Sequence, residues 1–342
     1  MNTSNRQYYL DNLKVFLTIL VIFHHAGQAY GDGGEWAYTP SNPAEVMPWI
    51  WHFFSVNAAF FMGLFFLISG YFVPTSYDRQ GGRVFVQKKL VRLGIPLLVV
   101  GGLFSVLTGK LEIGHLWYVE SLLVFSLVYA LIRRFFQPIT DDCSSKPTIT
   151  GLLILGGVMG IGSYFIRQVS PQDHWIWPLG IIPLPMEPAH YLQYVMMFAI
   201  GVLARRFHWL TKMSNTTGLL SLIIGSLLAL GVYLRDGGPW NDFVSRWFGI
   251  YESLLCVFIS MGLLWLFRQY FASTSSFKRW CAAQSYGAYI VHLPLMLCIQ
   301  HVFDSVWMGT FGKFMFIGVV TTILSFTATW LLRMIPGVKK VL

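Results

Sequence analysis

Two adjacent histidines, His24 and His25, lie near the end of an apolar segment that starts with Asp11 and Lys14. Histidine exchanges protons near neutral pH more readily than other side chains, so this position indicates acid–base or nucleophilic chemistry. In a helix, Lys14 and His25 would be about 20° apart in azimuth and about 16 Å apart along the axis, whereas His24 would be rotated by about 100°. The spacing favours His25 as the reacting group and His24 as a packing residue.

The elements that must position these residues are membrane helices. The chain has 342 residues, of which 55% are hydrophobic and 11% charged, whereas a soluble protein has about 25% charged residues. The apolar residues form blocks long enough to cross a bilayer, which takes about 20 residues. The sequence therefore predicts an all-α membrane protein, a polytopic bundle of about ten transmembrane helices in one domain, residues 1–342. The predicted spans are residues 13–30, 53–73, 90–108, 116–134, 150–167, 190–205, 217–234, 248–267, 282–302 and 312–333.

The positive charges give the orientation of these spans. If the N-terminus is cytoplasmic, 19 of the 24 lysines and arginines fall on the inner side and five, including Lys110, on the outer side. Positive residues are retained on the cytoplasmic side, so we expect cytoplasmic N- and C-termini in a multi-pass protein of the plasma (inner) membrane. The net charge of +9 then reflects topology. Membrane lipid is an expected partner, and nucleic acid is not.

Several common kinds of site have no support in the sequence. The four cysteines, which include Cys143, have no paired or CxxC spacing, so they indicate neither a disulfide framework nor a zinc site. There is no Gly-x-Ser-x-Gly elbow, Walker loop or zinc-spaced histidine cluster. We therefore expect no metal and find no basis for a serine hydrolase or a nucleotidase.

The run "YYLDNLKVFLTILVIFHHAG" resembles the opening of the acyltransferase-3 family of integral membrane acyltransferases. The first helix of that family carries an arginine, ten further residues and a histidine, and here Lys14 and His25 hold those positions. Lysine keeps the charge of arginine but lacks its planar fork. Matches to later spans and to a common ending follow in family order: "FFMGLFFLISGYF", "VFVQKKLVRLGIPLLV", "HLWYVESLLVFSLVYAL", "YVMMFAIGVLARR", "SYGAYIVHLPLM" and "LLRMIPGVKKVL".

The resemblance implies a membrane-bound O-acyltransferase. Such an enzyme would move an acyl group, in the expected case acetyl, from cytoplasmic acyl-CoA to a hydroxyl of an extracytoplasmic or lipid-linked saccharide. His25 would be the general base, with an acyl-histidine intermediate as an open alternative. The resemblance assigns the phosphates of coenzyme A to Lys89 and Arg92, whose charges suit such hydrogen bonds.

Other polar residues of the predicted spans are candidates for the same site. Glu120 is predicted at the depth of His25, where it would orient the imidazole or serve as an interhelical anchor. The expected donor-side residues are Lys14, Ser69 and Tyr71. The expected acceptor-side residues, for which helix capping, an aromatic belt or interhelical hydrogen bonding are the structural alternatives, are His52, Asn57, His115, Trp117, Tyr118 and His292.

The sequence leaves two other functions open. A secondary transporter of a polar or anionic solute would use His25 and Glu120 as a proton relay, although the chain lacks the internal repeat that is common in transporters. A haem protein would use His25 and His292 as facing ligands.

Overall fold

The computed structural model describes residues 6–31, 36–42, 47, 49–108, 113–138, 145–172, 174–176, 186–235, 237–306 and 308–342. Lys110 and Cys143 lie outside these ranges. The described residues are helical apart from turns, connecting segments and one isolated bridge between Ile176 and Met186, which confirms the predicted all-α class. The α-helices are α1 Tyr8–Gln28, α2 Ile50–Gln80, α3 Gly82–Lys89, α4 Ile95–Thr108, α5 Trp117–Phe135, α6 Ile149–Val169, α7 Pro188–Arg206, α8 Trp209–Lys212, α9 Asn215–Tyr233, α10 Gly238–Arg246, α11 Phe248–Tyr270, α12 Ser276–Val302 and α13 Thr310–Leu332.

Each of the ten predicted spans coincides with helical structure. Nine helical stretches in the described part of the chain are long and apolar enough to cross a membrane, and Gly82–Val106 is one of them. The exception is α7, which has 19 residues but carries buried polar side chains, His190 and Gln193. The cytoplasmic placement of both termini depends on an even number of spans and stays a prediction.

The chain forms two compact units, and the first comprises Met1–Ala58 and Tyr270–Leu342. In this unit α1, α12 and α13 pack against one another around a core that includes Ile22, Met296 and Ile317. Helices α12 and α13 approach closely at Gly287, where a Cβ atom would lie 2.2 Å from Cγ2 of Thr329. Small residues permit such contacts between membrane helices. The unit therefore holds α1 and α12, the helices of His25 and His292, side by side.

The second unit comprises Ala59–Gln269. Its tightest helix crossing joins α2 and α7, where a Cβ atom on Gly70 would lie 2.2 Å from the carbonyl oxygen of Phe198. Reciprocally, a Cβ atom on Gly201 would lie 2.1 Å from the carbonyl oxygen of Leu67. The close packing of α7 explains why this helix carries polar residues, because they face protein partners. The prediction of one membrane domain over 1–342 stays a prediction.

Candidate active site

His25 and His292 are directly hydrogen-bonded within the first unit. His25 lies in the last turn of α1, and its Nδ1 is 2.8 Å from Nε2 of His292 on α12. The ring centroids are 5.0 Å apart and the ring planes differ by 8°. Rings stacked face to face would be separated by about 3.5–4 Å. The two imidazoles are therefore nearly coplanar and edge to edge, so the hydrogen bond lies close to both ring planes.

His292 is fixed on its other side by the backbone of its own helix. Its Nδ1 is 2.6 Å from the carbonyl oxygen of Tyr289, and the residue is 0% exposed. Pro294 follows two residues later inside the helix and has no N–H to give to the preceding turn. Both ring nitrogens of His292 thus have hydrogen-bond partners, whereas the His25 residue is only half-buried.

The segment 36–42 places an aromatic side chain against His25. The Trp36 ring lies 5.7 Å from the His25 ring, centroid to centroid, with a 21° angle between the planes. Its Nε1 donates to Oε1 of Gln300 at 3.1 Å, and Nε2 of Gln300 is buried with no hydrogen-bond partner among the described residues. Trp36 therefore fixes one face of the imidazole, and the Gln300 amide lies at the edge of the same cluster.

Asp304 holds this segment in place. The hydroxyls of Tyr38 and Ser41 both donate to its carboxylate, and the Ser41 N–H donates at 3.1 Å. Hydrogen bonds from Ser41 and then Tyr38 lower the pKa of Asp304 to about 2. The carboxylate is thus ionised throughout the neutral range and is a stable anchor for the segment that carries Trp36.

His24 points into an apolar environment, in agreement with its predicted rotation. Its ring lies 5.0 Å from that of Phe54 and 6.4 Å from that of Phe53, and it is buried. The ring of His25 is 5.8 Å away at a steep angle. One of the two adjacent histidines therefore packs against phenylalanines, and the other faces a polar cluster.

The remaining first-unit candidates are on α1 and in the first part of α2. Lys14 pairs with Asp11 at 2.9 Å. His52 is bonded through Nδ1 to the carbonyl oxygen of Trp49 at 3.0 Å, which ties it to the start of α2. Asn57 is 4% exposed, and its Nδ2 has no hydrogen-bond partner in the described part of the chain. A donor role for Lys14 and acceptor roles for His52 and Asn57 stay predictions.

In the second unit, Lys89 and Arg92 lie at a break in helix geometry. Lys89 ends α3, and residues Leu90–Gly94, which include Arg92, form a π-helical turn. The ammonium of Lys89 lies over the Phe85 ring, 5.5 Å from its centroid. The positive charges of Lys89 and Arg92 are close enough to repel each other. π-Helical turns are rare in proteins, and those that occur are often at functional sites. Two neighbouring positive charges at such a turn suit a phosphate-bearing ligand.

The predicted donor-side and acceptor-side residues of α2 and α5 meet within this unit. Oγ of Ser69 and the hydroxyl of Tyr118 are 2.9 Å apart. Trp117 stacks on Tyr194 at 5.3 Å, and Arg205 donates to the hydroxyl of Tyr71 at 3.4 Å. Ser69 and Tyr118 are therefore neighbours, and their predicted division between donor and acceptor stays a prediction.

Two further predicted residues belong to α5 and the turn before it. His115 lies in the 3₁₀ turn Gly114–Leu116 and is buried. Glu120 is 5% exposed, in the first turn of α5. Glu120 and His25 belong to different units, so their partnership stays a prediction, as does an acceptor role for His115.

A second buried cluster joins α6, α7 and α11. The guanidinium of Arg167 donates to Glu252, whose other oxygen is 3.0 Å from Nε2 of His190. Nδ1 of His190 is 2.8 Å from Oε2 of Glu187. Both nitrogens of this imidazole therefore face carboxylates. No group of three or more side chains among the described residues is arranged to hold a metal ion.

The cluster around His25 contains residues that the sequence patterns do not identify. Trp36 lies outside the predicted spans, and Gln300 lies beyond the matched run that contains Tyr289 and His292. The available signals are a glutamine at the end of an apolar helix and the His-Leu-Pro run at 292–294, which disturbs the backbone near a histidine. The second cluster is similar, since Arg167, His190 and Glu252 are far apart in the chain.

The bond between His25 and His292 also bears on the haem alternative. Two nitrogens on opposite sides of one metal ion would be about 4 Å apart, because each metal–nitrogen bond is about 2 Å. The observed separation is 2.8 Å. Ligation of one iron atom by this pair would therefore require the two rings to move apart.

Sequence comparison places this chain in one class of membrane enzyme. The family model described as an acyltransferase domain (Acyl_transf_3) matches residues 7–330. The chain belongs to the acyltransferase-3 family and is a membrane acyltransferase, which confirms the resemblance and the enzyme class expected from the sequence.

The chain is also similar to curated proteins along most of its length. Glucans biosynthesis protein C of Escherichia coli O81 (strain ED1a) is 24% identical in an alignment 368 positions long, which covers 94% of this chain and 91% of the relative. The proteins of the same name from E. coli O9:H4 (strain HS) and strain K12 / DH10B are 25% identical in alignments 373 positions long, with the same coverage. No solved structure shows significant similarity to the chain.

Proposed function

We propose that this membrane acyltransferase transfers an acyl group, in the expected case acetyl, from cytoplasmic acyl-CoA to a hydroxyl of an extracytoplasmic or lipid-linked saccharide. The family supports acyl transfer, and relatives named for glucan biosynthesis support a saccharide acceptor. The plasma (inner) membrane is the compartment in which cytoplasmic acyl-CoA and an envelope saccharide are both accessible to one protein.

The observation that carries the proposal is the environment of His25. This histidine is half-buried, its Nδ1 is bonded to His292, and one ring face lies near Trp36. A general base must be both accessible and held in a fixed orientation. His25 meets both conditions, whereas His24 is packed among phenylalanines.

The reaction then follows in two proton transfers. Nε2 of His25 takes the proton of the acceptor hydroxyl as the hydroxyl oxygen attacks the thioester carbonyl carbon. The carbon–sulfur bond breaks, and the thiolate of coenzyme A receives that proton from His25. An ester and a free thiol are formed, and His25 returns to its neutral state. An acyl-histidine route would instead place the acyl group on His25 before transfer.

The donor would be held by positive charges of the second unit. Lys89 and Arg92 supply two charges at the π-helical turn, and phosphates form strong charge-assisted hydrogen bonds with such groups. Ser69, Tyr71 and Lys14 remain expected on the donor side. His52, Asn57, His115, Trp117 and Tyr118 remain expected on the acceptor side.

The test uses the two adjacent histidines as a matched pair. Purified wild type, His25→Gln and His24→Gln are incubated with radiolabelled acetyl-CoA and cell-envelope glycans, and labelled glycan is measured. We expect His25→Gln to lose about 10²-fold or more in rate, as for loss of a general base. His24→Gln should stay within about threefold of wild type, because the His24 ring packs against Phe53 and Phe54 and has no part in the proposed proton transfer.

Equal rates in the two variants would contradict the proposal. Both variants should also bind acyl-CoA and melt close to wild type, so that a loss of rate is not a loss of fold. The transporter alternative makes a separate prediction, namely flux of a polar solute into sealed vesicles without acyl-CoA. Such flux, together with no glycan labelling by wild type, would favour the transporter.

A further inference from the structure

A cavity lies between the start of α12 and the end of α13, and none of its lining residues is a predicted site residue. Its volume is about 460 Å³, which is within the range of ligand sites in proteins, about 300–1,000 Å³. The side chains that line it include Arg279, Trp280, Gln284, Trp330, Arg333 and Lys339. All of them belong to the first unit.

The charged residues among the described lining of this cavity are all positive. Arg279 belongs to the first turn of α12, Arg333 follows the last residue of α13, and Lys339 lies in the 3₁₀ turn Val338–Lys340. Arg279 and Lys339 are exposed, so a ligand outside the protein can reach both charges. Cations that converge on one cavity from separate segments repel each other, and an anion bound among them removes that repulsion.

Hydrogen bonds to α12 orient the two arginines at the wall of the cavity. Arg333 donates through Nη1 to the carbonyl oxygen of Ala283, and the same nitrogen is 3.4 Å from Oε1 of Gln284. Arg279 donates through Nη2 to Oγ of Ser276 at 3.2 Å. Because these side chains are already held, an anion that binds them costs less ordering of rotamers than it would beside mobile arginines.

Apolar side chains surround these charges. Trp280 and Trp330 line the cavity, and Phe277 stacks on Trp280 at 6.1 Å and is 71% exposed. Trp330, Met334 and Ile335 are 40%, 59% and 52% exposed. Tryptophan is enriched where the hydrocarbon of a membrane meets its headgroups, and an exposed apolar patch marks a surface for membrane interaction. A ligand that fits this cavity therefore combines a negative headgroup with apolar chains.

The cavity lies at the depth at which such a ligand is available. Its residues fall between 276 and 284 and between 330 and 339, at the predicted cytoplasmic boundaries of the last two spans, 282–302 and 312–333. The cytoplasmic leaflet contains anionic phospholipids, whose headgroups attract lysine and arginine close to the membrane. Basic pockets between helices on this side bind lipid headgroups in other membrane proteins.

We propose that this cavity binds the phosphate of an anionic phospholipid between Arg279, Arg333 and Lys339, with the acyl chains along the apolar side chains near Trp330 and Met334. A soluble phosphate ester would satisfy the cations but leave those apolar side chains uncovered. A zwitterionic lipid has the same phosphate, but its ammonium adds a further positive charge beside three cations. The lipid joins the start of α12 to the segment that follows α13, and this role is independent of the proposed acyl transfer.

Two double variants with the same net charge test the proposal. Arg279→Gln/Lys339→Gln removes two lining cations. Lys278→Gln/Lys340→Gln removes the cations next to them in the chain, which are not part of the lining. Both variants should melt close to wild type in lipid-free detergent, because changes of side chains at the surface cost little stability. The pair therefore separates the cavity from a general positive surface.

The intact protein in detergent is titrated with phosphatidylglycerol, and bound lipid is measured by native mass spectrometry. The titration uses about 0.15 M salt, at which charges more than about 8 Å apart are largely screened. We expect the lining variant to bind about 30-fold more weakly than wild type, since each cation near an anionic headgroup contributes about fivefold. The control variant should stay within about threefold, and wild type should bind phosphatidylcholine at least about tenfold more weakly than phosphatidylglycerol.

Glycerol 1-phosphate and acetyl-CoA identify the source of the phosphate, and neither should displace phosphatidylglycerol from wild type. Displacement by either would show that a soluble phosphate ester occupies the cavity. Equal losses in the two double variants, or equal binding of the two lipids, would show only a general attraction between the protein and lipid. Each of these results would overturn the proposal, and none depends on glycan labelling, which tests the acyl transfer separately.

Discussion

The two units each contain a buried histidine cluster, and the two clusters use the imidazole in opposite ways. In the second unit both nitrogens of His190 face carboxylates, Glu187 at 2.8 Å and Glu252 at 3.0 Å. Both nitrogens therefore donate, and no lone pair remains. In the first unit Nδ1 of His25 is bonded to a second imidazole, and the proposed function assigns proton uptake to the other nitrogen of His25.

The difference shows how the partners of a histidine determine its use. Carboxylates on both nitrogens commit the ring to hydrogen bonds that join α6, α7 and α11 through Arg167 and Glu252. An imidazole partner also fixes the ring, and in the proposed function the other nitrogen of His25 takes up the proton of the acceptor. We therefore expect the first cluster to control rate and the second to control stability.

The largest effect that would test this comparison is on the stability of the second cluster. In Glu252→Gln the carboxylate between Arg167 and His190 is lost, so two buried donors face a neutral amide. Breaking a buried ion pair costs about 3–5 kcal/mol. We expect a clear fall in thermal stability and in folded yield, measured by thermal unfolding in detergent. The activity of each folded molecule should stay close to wild type.

Glu187→Gln is the matched control for this variant. It weakens the pairing at Nδ1 of His190 and leaves the Arg167–Glu252 pair intact, so its loss of stability should be smaller. If Glu252→Gln remained stable but lost all activity, the second cluster would take part in catalysis and the comparison would be wrong.

The sequence predicts the helices of this fold well because their signal is local. Each span is a run of apolar residues about as long as a bilayer is thick, and all ten predicted runs coincide with helices. The choice of His25 over His24 is local too, since a rotation of about 100° per residue separates their faces. The structure places His24 against Phe54 and His25 against His292.

The partners of these residues could not be predicted in the same way. His25 and His292 are 267 positions apart, and their contact depends on how α1 and α12 pack. The π-helical turn Leu90–Gly94 cannot be predicted from hydropathy, because a π-helix differs from an α-helix in the spacing of its hydrogen bonds and not in its amino-acid composition. The position of Trp36 depends on the anchor at Asp304, which follows α12.

The proposed donor site makes a prediction of intermediate size. In Lys89→Gln one of the two charges at the π-helical turn is removed, so we expect KM for acetyl-CoA to rise about tenfold, equivalent to about 1.4 kcal/mol. KM for the glycan should be unchanged. The control is Lys88→Gln, which removes an exposed lysine one position earlier.

This pair of lysine variants tests whether the charges near the π-helical turn act on binding of acetyl-CoA and not on the rate of acyl transfer. A change in KM at Lys89 with constant kcat would separate donor binding from the proton chemistry at His25. Equal KM values in the Lys88 and Lys89 variants would show that these charges act only as a general positive surface.

The smallest effect concerns the anchor that holds Trp36 near His25. Asp304→Asn removes a charged acceptor of hydrogen bonds from Tyr38 and Ser41, and a single hydrogen bond contributes about 1 kcal/mol. We expect a decrease in thermal stability of that order and a kcat reduced about threefold, since a shift of the ring packed on His25 disturbs its orientation. Asp242→Asn, at an exposed aspartate, is the control for loss of one negative charge.

The pH dependence of that variant follows from the lowered pKa of Asp304, which is about 2. An unfolded aspartate has a pKa of about 3.9. The carboxylate is therefore ionised in both states above about pH 5, and its stabilisation is fully present there. As the pH falls from about 4 to about 2 the unfolded state takes up the proton first, and the stabilisation is lost. The difference in melting temperature between wild type and Asp304→Asn should thus be constant from pH 6 to pH 8 and shrink below about pH 4. A difference that changed between pH 6 and pH 8 would show that a group other than this carboxylate anchors the segment, and Trp36 would then be held near His25 by a different contact.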